Sequence, residues 1–169
     1  MHYLRNISTI VFSIFIINSC VNPFAPKLDY DIGSESSLIS DQKDIEGVFQ
    51  NLQYAYTFRD TTIYGELLNK DFTFTYRDYD REVDIAWGRE DEMRVTSGLF
   101  NNSERLDLIW NNIVAITSDS TNVVRSFNLT ITFNPTDIIF VDGKVNLQLE
   151  KLSDKNKWQI ITWIDESNF

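Results

Sequence analysis

Residues 158–165 read WQIITWID, a segment with bulky apolar side chains in both alternating sets. Trp158, Ile160, Thr162 and Ile164 fall on one side, and Ile161, Trp163 and Asp165 on the other; the period of two and the β-branched and aromatic content predict a strand. Upstream, VVRSFNLTITF (123–133) is the cleanest alternation in the chain. Val123, Arg125, Phe127, Leu129, Ile131 and Phe133 share one face, and Pro135 ends the run. Between these segments, residues 138–152 are β-rich around Asp142-Gly143, a pair that reads either as a hairpin turn or as a bulge in one bent strand. Leu106, Leu108 and Trp110 alternate as well, and Ile113 to Ile116 resume after Asn111-Asn112.

Towards the N-terminus the period changes to that of a helix. Ile45, Val48, Phe49, Leu52, Ala55 and Tyr56 recur at helical spacing between Asp41 and Arg59, and Ile63, Tyr64, Leu67 and Leu68 suggest a second, short helix. Phe72, Phe74 and Tyr76 then alternate with Thr73, Thr75 and Arg77, and a polar loop leads to a strand with Val83, Ile85 and Trp87. Gly88 to Phe100 is helical again. Glu90, Asp91 and Glu92 crowd its first turn, where acidic groups complement the exposed N–H groups, and Met93, Thr96, Leu99 and Phe100 face the core.

The order helix, helix, strand, strand, helix and then long strands predicts an α+β domain in which a strongly curved antiparallel sheet wraps three N-terminal helices into a cone. From about residue 41 to 166 the chain resembles the nuclear transport factor 2-like (NTF2-like) superfamily, including its SnoaL-like branch. The resemblance rests on Asp71-Phe72-Thr73-Phe74 after the helix pair, on Trp87-Gly88-Arg89-Glu90-Asp91-Glu92, and above all on Trp158-x-Ile160-x-x-Trp163-x-Asp165. It implies a fold and no single activity, because this fold carries isomerases, dehydratases, hydrolases and pure binding modules.

The first twenty residues, MHYLRNISTIVFSIFIINSC, carry an apolar run from Ile7 to Ile17 behind Arg5. The run is too short for a spanning helix and fits the core of a secretory signal. Ile17, Ser19 and Cys20 resemble the lipobox of bacterial lipoproteins, in which the chain is cut before an acylated cysteine; Asn18 departs from it. The expected organisation is a signal peptide over 1–19, lipidated Cys20 with a flexible tether over 20–40, and the NTF2-like domain over 41–169. The alternatives are an uncleaved anchor or plain secretion, and for Phe24, Leu28 and Tyr30 a lid packed on the domain. Each buried CH₂ of an acyl chain contributes about 0.8 kcal/mol, so two or three chains hold firmly. Val21 and Asn22 leave no Asp behind the cysteine, which by resemblance favours the outer membrane of a bacterial envelope.

The whole chain has 169 residues, 43% hydrophobic, and a formal net charge of -10. That composition excludes a disordered tail, a coiled coil and a disulfide scaffold, and the acidity argues against a nucleic-acid partner. The single histidine is His2, in the segment expected to be removed, so no imidazole remains for base or metal chemistry. No cofactor and no metal site is expected. Asp78, Asp80, Glu82 and Asp84 recur at every second position but lack the glycine turn and distal Glu of a calcium loop, and read as a solvated edge.

Carboxylate, tyrosine and arginine chemistry is what remains. The catalytic candidates are Asp165, as a base if it faces the cone beside Trp163, with Arg125 and Tyr54 assisting. Asp165 reads equally as a solvent-facing or capping residue. Arg125, on an apolar face, either anchors an anion inside the cone or snorkels to water at the strand end. Trp87, Arg125 and Trp163 are the ligand-binding candidates, although the tryptophans have the bulk either to line a pocket or to plug it. Three functions follow: a membrane-anchored binding module for a small apolar ligand or an envelope protein; a cofactor-independent SnoaL-like isomerase or dehydratase; and a structural lipoprotein with a filled cone.

Overall fold

The computed structural model describes residues 38–154 and 156–168. The segment read as a signal peptide, Cys20 and most of the segment read as a tether lie outside the described residues. Of the segment read as tether, Leu38 and Ser40 hydrogen-bond to the first helix, through Gln50 Nε2 to Leu38 O (3.3 Å), Ser40 N to Asn51 Oδ1 (2.7 Å) and Asn51 Nδ2 to Ser40 O (3.0 Å).

Helix α1 (Ile45–Phe58) starts at Asp44, whose carboxylate accepts the Gly47 N–H at 2.7 Å. Arg59, at φ 55°, ends it in the left-handed region. Asp60 then caps α2 (Thr61–Leu67), accepting from the Thr62 and Ile63 amides. Strand β1 (Leu68–Asp78) follows directly, and a turn leads to β2 (Val83–Gly88). Helix α3 (Arg89–Asn102) runs through Asn101-Asn102, two residues beyond the expected end at Phe100. The remaining strands are β3 (Arg105–Ile116), β4 (Asn122–Asn134), β5 (Asp137–Leu152) and β6 (Lys157–Asn168).

The six strands form one sheet in the order β2-β1-β6-β5-β4-β3. The helices and strands of the expected cone recur in the order read, but one pairing differs: β1 and β6 are parallel. These strands are far apart in sequence, with β2, α3 and β3–β5 between them, so no tight turn forces them antiparallel. Asp142-Gly143 is neither a turn nor a bulge. Strand β5 passes straight through, with Gly143 in unbroken register between Phe127 and Ser167.

Bulges bend the sheet and decide which side chains face the helices. Strand β3 is one strand, not two, with register shifts around Asn111-Asn112 and Val114. In β6, Gln148 pairs with Thr162 while Leu149 pairs with Ile160, leaving Ile161 as the extra residue. Simple alternation puts Ile160 and Trp163 on opposite faces. The bulge brings both into the core, where they are 0% and 7% exposed. The core also takes Val48, Phe49 and Leu52 from α1, Tyr64 and Leu67 from α2, and Phe100 from α3.

Candidate functional site

The cone's own side chains do not fill it. A half-enclosed cavity of about 400 Å³ lies between α3 and the sheet. Phe74 and Tyr76 of β1 and Trp87 of β2 line one side, with Val95, Thr96 and Leu99 of α3. Tyr56 enters from α1, and Leu108, Trp110, Phe127, Leu129, Ile131, Val141 and Val145 line it from β3, β4 and β5. Trp163, Asp165 and Ser167 come from every second position of β6 beyond its bulge, which gives them one common face. Phe74 and Trp87 stack, with ring centroids 4.6 Å apart and planes inclined by 16°.

The polar groups are few. Glu92 is 4% exposed, and three neutral donors point at its carboxylate: Tyr64 OH (2.6 Å) and Thr96 Oγ1 (2.9 Å) to Oε1, and Trp87 Nε1 (2.7 Å) to Oε2. Burial pushes the Tyr64 hydroxyl well above the usual phenol range, with Tyr56 and the Glu92 charge adding to it. Tyr56 is raised likewise, first by burial and then by the charges of Glu92 and Asp165. Among the described residues Asp165 is bonded by its near neighbour Ser167 alone, from the amide (3.2 Å) and the hydroxyl (2.9 Å). Burial raises its carboxyl above the ordinary value of 3.8; the Ser167 donors oppose that, and the Glu92 and Glu166 charges reinforce it. The Trp163 indole N–H is buried without a hydrogen-bond partner, alone in this among the described residues.

Among the residues expected to act, Asp165, Trp87 and Trp163 come together at this cavity. Arg125 and Tyr54 do not line it. Arg125 is held under the start of α1: Nη1 meets Glu46 at 2.8 Å, Nε donates to Asn111 O at 2.9 Å, and the guanidinium lies 4.7 Å from the Phe49 ring centroid. Its side chain is only 12% exposed, so it neither anchors an anion in the cavity nor snorkels free. Tyr54 stands on another face of α1 from the cavity and packs on Phe58 with centroids 4.6 Å apart. The acidic series spreads over the β1–β2 turn, where Asp84 pairs with Arg77 (3.0 Å) and Asp78 with Arg81 (3.7 Å).

Glu92 is the site residue that the sequence reading passed over, because three consecutive acids in a first turn look solvated. A signal was present: Glu92, Thr96 and Leu99 sit at i, i+4 and i+7, one stripe of the helix. A second, more open depression of about 720 Å³, bounded by Lys70, Arg89, Glu66 and Glu90, is a mixed-charge surface groove.

No protein-family model matches the chain, and no curated protein does. Solved structures do. A putative scytalone dehydratase from Novosphingobium aromaticivorans superposes with a TM-score of 0.63 at 13% identity, over 74% of this chain and 82% of that one. A protein from Kribbella flavida gives 0.62 at 10% identity, over 76% and 91%. An NTF2-like protein of unknown function from Shewanella baltica gives 0.52 at 14% identity, over 72% and 89%. At such identities the likeness is one of fold. Three helices on an unclosed, curved, mixed six-stranded sheet, superposable on these structures, give this chain the NTF2-like α+β cone fold.

Proposed function

We propose that the cavity binds a small, largely apolar ligand and that the protein is a membrane-anchored binding module. The observation that carries this is the cavity itself: about 400 Å³, with seven aromatic side chains among its eighteen lining residues and a few convergent polar groups. The buried Trp163 N–H, on a residue that lines the cavity, has no partner, and a donor left so costs about 1–3 kcal/mol. Displacement of a neutral fluorescent probe such as N-phenylnaphthylamine tests the reading. Leu129→Trp, which fills the cavity, should abolish probe binding while leaving the unfolding midpoint near that of the parent.

One observation favours a second reading, a cofactor-independent isomerase or dehydratase. Asp165 faces the cavity with raised proton affinity, and Tyr56 lines the same cavity. A base of that kind exchanges the α-proton of a bound ketone with solvent. Deuterium incorporation that Asp165→Asn abolishes would favour the enzyme; binding without exchange favours the module. The scytalone dehydratase likeness adds no residue to this, and the chain's single histidine is His2.

The anchor rests on Ile17-Asn18-Ser19-Cys20 behind the apolar run. In this reading the domain sits at a bacterial envelope membrane, and the lack of an Asp after the cysteine supports the outer membrane. Mass spectrometry of the mature N-terminus tests it. An acylated Cys20 is expected, and an unchanged N-terminal mass in Cys20→Ala would refute the lipobox.

A further inference from the structure

We propose that the ligand of this cavity is an organic cation, an amine whose ammonium group sits at the Asp165 and Glu92 carboxylates while its apolar body lies against the aromatic wall. The inference rests on the cavity being a ligand site and adds the charge of the ligand.

Among the described residues two carboxylates reach the cavity, and no Lys, Arg or His lines it. Neither Asp165 nor Glu92 belongs to any ion pair among the described residues. Glu92 has only neutral donors, from Tyr64, Thr96 and Trp87, and Asp165 has only Ser167. Carboxylates withdrawn from water are ordinarily paired with a cation, because an unpaired charge in an apolar setting is strongly disfavoured. The basic side chains that approach the core are engaged elsewhere: Arg125 with Glu46 and Asn111, and Arg89 with the Gly65 carbonyl. Among the described residues none supplies the counter-charge, and we assign it to the ligand.

The rest of the lining fits that occupant. Trp87, Phe74, Tyr76 and Trp163 surround the space beside Asp165. Aromatic faces carry negative quadrupoles and attract ammonium groups, most strongly when both are desolvated. An anionic ligand would meet two like charges and no cationic donor. A neutral one would leave both carboxylates as they stand. The net charge of -10 also favours the approach of cations over anions.

Isothermal titration of the purified full chain with naphthylethylamine, naphthylethanol and naphthylacetate separates these cases, since the three probes share one apolar body. The amine should bind at least about tenfold more tightly than the alcohol, and the acetate more weakly than either. In Asp165→Asn, which keeps size and shape, the amine should lose that advantage over the alcohol. Alcohol binding equal to or tighter than amine binding in the parent protein would overturn the cation and leave the apolar ligand site standing. An advantage for the amine that persists in Asp165→Asn would overturn the assignment to Asp165. Failure of all three probes to bind would overturn the ligand site and this inference together.

Discussion

Glu92 in the first turn of α3 accepts the indole N–H of Trp87, at the end of β2, at 2.7 Å. The bond spans five residues, joins the edge of the sheet to the helix that covers it, and fixes the ring that stacks on Phe74. The other Glu92 oxygen takes Tyr64 of α2 and Thr96 of α3, so one carboxylate ties three elements around the cavity.

Removing that carboxylate should be severe. Glu92→Leu leaves the Tyr64 and Thr96 hydroxyls and the Trp87 N–H without their acceptor, and a loss of about 3–5 kcal/mol is expected. Glu92→Gln keeps one oxygen and should lose about 1–3 kcal/mol. Urea unfolding of both variants measures the difference, and a Leu variant as stable as Gln would show that the three bonds contribute little.

The glycines give an opposed pair. A β-carbon on Gly143 would collide with the Ser167 Cα and stand 2.8 Å from the Glu166 carbonyl oxygen, whereas one on Gly98, within α3, meets nothing within 4 Å. Gly143→Ala should therefore lose at least about 2 kcal/mol and shift Ser167, the residue that holds Asp165. Gly98→Ala should gain about 0.5–1 kcal/mol from helix propensity and reduced unfolded-state freedom. Thermal unfolding of the two variants should move in opposite directions.

Asp165 should make stability fall with rising pH. Below about pH 3.8 the carboxyl is protonated in both the folded and the unfolded chain and carries no penalty. As the pH rises from 3.8 through the raised folded value, the unfolded chain releases its proton first and the native state becomes relatively disfavoured. Asp165→Asn should accordingly be more stable than the parent at neutral pH, with the gain vanishing in acid. Denaturation curves across that range check the sign; a gain that grows in acid would contradict it.

Arg125 should matter for stability and not for the ligand. Its partner Glu46 is 67% exposed, so Glu46→Gln should change stability by less than about 1 kcal/mol. Arg125→Met loses the bond to Asn111 O and the guanidinium over Phe49 and should cost about 1–3 kcal/mol. Binding of the neutral apolar probe should survive in both, because neither side chain lines the cavity.

Much of this was legible in the chain. The stripe Val48, Phe49, Leu52 and Ala55 gives α1, and the alternation from Val123 to Phe133 gives β4, because periods of 3.6 and 2 are local consequences of backbone geometry. Trp87, Trp163 and Asp165 were picked out for their side chains and their places on strands, and they do meet. Arg125, on a strand, and Tyr54, on a helix, were candidates for their side chains too and do not line the cavity. A helix face is wider than its strongest positions, so Tyr56, two residues from Tyr54, takes the cavity. An arginine on an apolar face stays there if something covers it, and Glu46, from a distant helix, does.

By itself, then, the sequence determined the class of every long element, the α+β order that makes a cone, and the scarcity of imidazole. Tertiary structure decided the parallel pairing of β1 with β6, the passage of β5 through Gly143, the inward turn of Ile160 together with Trp163, and the burial of Glu92. The division has a physical reason. Periodicity is written within a few residues, whereas a bulge, a close backbone crossing and a buried carboxylate each depend on what lies opposite. Ile161 bulges against Gln148 and Leu149, Gly143 makes room for Ser167, and Glu92 is satisfied only once Tyr64 and Trp87 have folded onto it.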